Sequence, residues 1–116
     1  MEVLNSRIKV KEIFGKWKPE TVEKEIAEMD SLEEVDVVFA HNDVMAMAAR
    51  RAIERMHPGL ADRICFVGID AVSGRGSGLE AVMHGELAAS VLYPTGGSLA
   101  IRVAMQILNG EDVSRQ

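Results

Sequence analysis

The chain has 116 residues, enough for one modest domain and too few for two full ones. Hydrophobic residues make up 47% of it and charged residues 27%, as in core-forming globular proteins, and a net charge of −5 argues against a nucleic-acid scaffold or a polybasic membrane binder. The single cysteine, Cys65, excludes an internal disulfide and a multi-cysteine metal site, and the apolar runs are far shorter than the roughly 18 residues of a membrane span.

The opening MEVLNSRIKV lacks the apolar stretch of a signal peptide. From Arg7 to Phe14, the apolar residues Ile8, Val10, Ile13 and Phe14 predict a half-buried strand at a sheet edge, broken by Gly15. Pro19 and Glu20 suit the first turn of a helix, and Val22, Ile26 and Met29 recur at i, i+4 and i+7, predicting a surface helix that reaches Leu32. Val35 to Ala40 is a short, nearly continuous apolar run, the pattern of a parallel strand covered on both faces. His41-Asn42-Asp43 then leads into a helix from Val44 to about Met56, with Met45, Ala48, Ala49, Ala52, Ile53 and Met56 on one face, ended by Pro58-Gly59. Ile64 to Ile69 predicts a second buried strand, closed by Asp70. Ser73 to Gly78 is a glycine-rich turn, and Leu79 to His84 a short helix. Leu87 to Leu92 predicts a third buried strand, followed by Tyr93-Pro94, and Ser98 to Leu108 the last helix, stopped by Asn109-Gly110. Four strands alternating with four helices predict an α/β fold, a three-layer α-β-α sandwich with a mainly parallel sheet.

In an open parallel sheet, ligands bind outside the carboxyl ends of the strands. Those ends carry Asn42 and Asp43, then Asp70, then Tyr93, with Trp17 just beyond the first strand. Amides and carboxylates each bind vicinal hydroxyls at two points, and an aromatic face packs on the apolar side of a sugar ring, so the set suits a small polyhydroxylated ligand. Plainer roles stay open for each. Asn42 and Asp43 are both leading helix-capping residues, Asp70 is a common turn residue, Tyr93 has a packing role available, and Trp17 sits in a polar surface context. The glycines at 74, 76 and 78 miss the GxGxxG spacing, and no Lys-Ser/Thr follows them as in a P-loop. His41, His57 and His84 lack metal-ligand spacing, His41 alone lying near the crevice, and Ser77 lacks a GxSxG frame. With no nucleophile beside a base, the reading is a binder rather than an enzyme, with no catalytic residue, metal or cofactor.

At VVFAHNDVMAMAARRAIE, ICFVGIDA and GLEAVMHGELAASVLYPTGG the sequence resembles the type I periplasmic sugar-binding proteins, the ribose-binding-like group, over about Ile8 to Gly110. Asn-Asp after one strand, Gly-x-Asp after the next and a later G-x-L-x-A-[ST] strand carry the likeness. The LYPTGG segment and the GIDAVSGRGSG loop look most like the extracytoplasmic sensor domains of hybrid two-component histidine kinases from gut Bacteroidetes. This resemblance implies a periplasmic binding protein-like I fold, one lobe only, located in the periplasm. It also implies monosaccharide binding, with Asn42 and Asp70 on sugar hydroxyls, Tyr93 lining the cleft and Trp17 stacking on the ring. The enzymatic activity would lie in a kinase elsewhere in the parent protein. A soluble ABC-transporter sugar-binding protein and a LacI-type repressor effector domain share this look, though the Pro-Pro-Leu-Thr-Thr-Val type segment of the repressors is absent here. From a different class, a phosphate- or nucleotide-using α/β enzyme would bind its anion on the glycines at 74 to 78.

Because the family clamps ligand between two lobes, residues 1–116 are expected to be a partial C-terminal lobe, with 95–110 a final helix belonging to the other lobe. The expected partners are therefore the sugar and the missing N-terminal lobe. Nucleic acid is not expected, nor is direct membrane contact in this segment. The last helix is apolar on two sides, with Ile101, Ala104, Met105 and Leu108 on one and Leu99, Val103 and Ile107 on the other. Without its partner lobe, a homodimer formed by swapping that helix is expected.

Overall fold

The computed structural model describes residues 7–113; residues 1–6, which open the leader reading, and 114–116 at the end of the 1–116 domain lie outside them. Helix α1 (Pro19–Ala27) begins on Pro19, whose fixed φ suits the first helical position, and buries Val22 and Ile26. It stops at Ala27, short of the predicted Leu32, because Leu32–Glu34 tighten into a 3₁₀ turn that buries Leu32. Strand β1 (Val37–Phe39) follows, then α2 (Asp43–Met56), a 3₁₀ turn at Ala61–Arg63, and β2 (Cys65–Asp70). A short α3 (Gly78–Met83), β3 (Ala89–Leu92) and α4 (Gly97–Leu108) complete the order.

The strands form one parallel sheet in the order β1-β2-β3, with Val38 opposite Phe66, Gly68 opposite Ser90 and Asp70 opposite Leu92. Right-handed βαβ crossovers require helices over the sheet, and α2 and α3 supply them on one face. Helix α2 packs closely because its buried seam is mostly alanine: Ala46, Ala48, Ala49 and Ala52, with Ile53. On its outer side α2 packs against α1, where Arg55 donates to Glu23 at 2.8 Å and Arg51 lies 3.7 Å from the same carboxylate. The Arg55 hydrogen bond holds the Glu23 carboxyl below its ordinary value. The core between sheet and helices centres on Phe66, Leu32, Ile53 and Leu87.

The segment Arg7 to Phe14 is not a strand, contrary to the expectation from its alternation. A strand needs a neighbouring backbone, and β1 pairs with β2 alone among the described residues. The preceding chain is instead pinned over the helices at Gly15, where an added Cβ would lie 2.6 Å from Val22 and 3.0 Å from Met45. Ile13 reaches the core, while Ile8, Val10 and Phe14 stay exposed.

The parallel sheet flanked by helices is the expected α/β architecture. Among the described residues the helices cover one face, and the opposite face presents Val37, Phe39, Cys65, Ala89 and Val91 to solvent. Helix α4 buries none of its residues, and Leu99, Ile101, Met105, Ile107 and Leu108 are all exposed. The radius of gyration, 18.2 Å against about 13 Å for a compact chain of this length, reflects these projecting parts. Among the described residues no helix is long and apolar enough to cross a membrane.

Candidate functional site

The carboxyl ends of β1, β2 and β3 open onto one cleft of about 700 Å³, lined by Trp17, Phe39, His41, Asn42, Ile69, Asp70 and Tyr93. Trp17, Asn42, Asp70 and Tyr93, the four residues expected from the resemblance to meet the ligand, all border it, whereas Asp43 does not. Phe39 and Ile69 were not singled out as site residues. Each is the outward-facing residue nearest its strand's end, and an unbroken apolar run gives no sign of which face is open.

Trp17 sits in a turn closed by Lys18 N–H donating to Gly15 C=O at 2.9 Å, with Lys16 and Trp17 both left-handed at φ 51° and 60°. That turn brings the indole to His41, their ring centres 6.3 Å apart, and His41 in turn meets Phe39 edge-on at 5.9 Å. Trp17 is 68% exposed and Tyr93 67%, so both rings keep large free faces in the cleft.

Asn42 is the N-cap of α2, its Oδ1 accepting from Met45 N–H at 2.8 Å. Its two Nδ2 hydrogens make no hydrogen bond among the described residues, so one side chain both caps the helix and borders the cleft. Asp43, the neighbour that the sequence favours for the cap, turns inward instead and is 3% exposed. Its Oδ2 accepts from Ala71 N–H at 3.0 Å and its Oδ1 from Ser90 Oγ–H at 2.6 Å. Two glycines make the space: a Cβ at Gly68 would lie 2.1 Å from Asp43 Oδ1, and one at Gly78 1.8 Å from Oδ2. Asp70, at the end of β2, is half-buried, and its carboxylate has no partner among the described residues.

The glycine-rich turn is occupied by its own hydrogen bonds. Ser77 caps α3 by accepting from Glu80 N–H at 3.4 Å and donates to Gly74 C=O at 2.5 Å, while Gly76 N–H donates to the Glu80 carboxylate. An anion bound there would have to displace a carboxylate, which weighs against the phosphate-binding alternative. What the cleft holds is a carboxylate, two amide donors and the exposed rings of Trp17, Phe39, His41 and Tyr93, a set that recognises hydroxyls and C–H faces.

A family model for the periplasmic binding protein domain matches residues 1–112. The chain belongs to the periplasmic binding protein family. The ribose import binding protein of Haemophilus influenzae is 35% identical over 82 residues, and that of Salmonella typhimurium 40%, each alignment covering 69% of this chain and 26% of the relative. Among solved structures, the fructose-binding periplasmic domain of a hybrid two-component system matches with a TM-score of 0.72 at 36% identity, over 84% of this chain and 32% of that one. The chain thus spans about a quarter of the length of the curated relatives it matches, and the described residues form a fragment of one lobe of the periplasmic binding protein fold.

Proposed function

We propose that this chain forms one wall of an inter-lobe cleft that binds a monosaccharide in the periplasm, within the sensor domain of a two-component histidine kinase. The observation that carries the reading is the meeting of Asn42 Nδ2 and the Asp70 carboxylate, both without other partners among the described residues, with the open rings of Trp17 and Tyr93 in one cleft. Asp70 accepts hydrogen bonds from sugar hydroxyls and Asn42 donates to them. Trp17 packs on the C–H face of the ring and Tyr93 closes the side. Binding energy shared between two lobes favours the closed state, and closure is the signal passed on to the kinase. The sensor role is supported by a solved neighbour from a hybrid two-component system that covers more of this chain than the ribose import proteins do. Those import proteins support transport as the second reading.

Calorimetric titration of a monosaccharide panel into the two-lobed parent protein tests this. Saturable binding is expected, and Asn42→Ala and Asp70→Ala should each weaken it by about 2 kcal/mol, roughly 30-fold. Silence across the panel, or affinity unmoved by both substitutions, overturns the reading. Sugar-dependent autophosphorylation separates sensor from transporter.

Helix α4 belongs to the other lobe in this reading. When the 116-residue chain stands alone, a second copy takes that lobe's place, because α4 spans about 18 Å and presents five large apolar side chains that are 53–80% exposed. Light scattering at tens of micromolar is expected to give a dimer mass. A monomer mass would refute this assembly.

A further inference from the structure

We propose that Asp43 is a positioning residue for the cleft: with Ser90 it holds the turn that presents Asp70, and ties that carboxylate to the Asn42 amide as one rigid unit. The inference rests on the reading that Asp70 and Asn42 meet the ligand.

Asp70 and Ala71 are successive non-glycine residues with positive φ, 109° and 48°, a backbone that L side chains rarely adopt. Such conformations persist only where the surroundings over-determine them. Here the restraint is a closed ring of three hydrogen bonds. Ala71 N–H is shared between Asp43 Oδ2 at 3.0 Å and Ser90 Oγ at 2.9 Å, and the Ser90 hydroxyl donates to Asp43 Oδ1 at 2.6 Å. The ring joins the first turn of α2, the end of β2 and the middle of β3. Asp43 directly follows Asn42, so the same helix start carries the cleft's amide and anchors its carboxylate.

A packing role alone does not account for Asp43. It is nearly fully buried with no cation partner among the described residues, and two glycines are needed to give its carboxylate room. An apolar side chain fills such a space without the cost of burying a charge. What an apolar side chain lacks is an acceptor for Ala71 N–H and for the Ser90 hydroxyl. The carboxylate supplies both, at a helix N-terminus whose dipole favours a negative charge.

Amide hydrogen exchange on the ¹⁵N-labelled 116-residue chain tests the device without any ligand. Protection of Ala71 is expected to fall about ten-fold or more in Asp43→Ala and in Ser90→Ala, with α2 and β2 core amides still protected. Asp43→Asn keeps an acceptor for Ala71 and an amide to donate to Ser90 Oγ, and should restore most of that protection. Should Asp43→Ala unfold the chain, Ser90→Ala decides the matter, because it leaves Asp43 in place. Unchanged Ala71 protection in Ser90→Ala and in a folded Asp43→Ala overturns the proposal.

In the two-lobed protein, Ser90→Ala is expected to lower affinity for the sugar that binds the wild type by about ten-fold, in the same direction as Asp70→Ala. Loss of affinity in Asp70→Ala alone also overturns it. If Asp70→Ala leaves affinity intact, the ligand reading fails, and Ala71 exchange still decides whether Asp43 holds the turn.

Discussion

Phe66→Ala is expected to lower the unfolding free energy by about 4 kcal/mol, seen as a lower urea midpoint with little change in slope. Phe66 is 1% exposed and lies at the centre of the only sheet face that helices cover among the described residues. The loss is therefore not shared with a second core on the far side. The ring also seats Arg50, whose guanidinium carbon lies 5.6 Å from the ring centre. Arg50 in turn donates to Ala61 C=O at 3.0 Å and to Asp62 at 2.6 Å, fixing the turn that enters β2. Small domains hold about 5–15 kcal/mol in total, so this one truncation removes a large share. A midpoint shift worth under about 1 kcal/mol would show that the α2–β2 layer is not the main core.

Gly68→Ala is the second large effect, expected to cost about 3 kcal/mol in the same unfolding experiment. The added methyl would lie 2.1 Å from Asp43 Oδ1 and 2.9 Å from Asp43 Cα. The carboxylate can rotate away, but the Cα belongs to the first turn of α2, so relief requires the helix start to move. That movement carries Asn42 with it, so under the proposed function affinity for the sugar should fall along with stability. The three atoms nearest a Cβ at Gly78 all belong to the Asp43 side chain, so the cost of Gly78→Ala should couple more strongly to Asp43→Ala in a double-mutant cycle. Wild-type stability in Gly68→Ala would refute the close approach of α2 to β2.

How much of this was legible in the residues differs from element to element. Helix α2 and strand β2 fall within a residue or two of their predicted bounds, because strong local pattern and burial on the sheet act in the same direction. At Arg7 to Phe14 the alternation is equally clear, yet pairing is a property of two backbones, and among the described residues this segment pairs with none. The Gly-x-Asp motif was readable as a pattern, whereas the reason for its glycine, room for the carboxylate of a residue 25 positions earlier, lies in a contact that no local pattern encodes.

By itself the sequence determined the type of nearly every element and the chemistry at the strand ends, because periodicity and side-chain identity are local properties. Only the tertiary structure decided that Asn42 caps α2 while Asp43 turns inward, since either side chain suits the cap until β2 and β3 bring Ala71 and Ser90 against one of them. It alone also left Phe39 and Ile69 facing open space at the cleft, because which side of a strand is covered depends on where the helices pack.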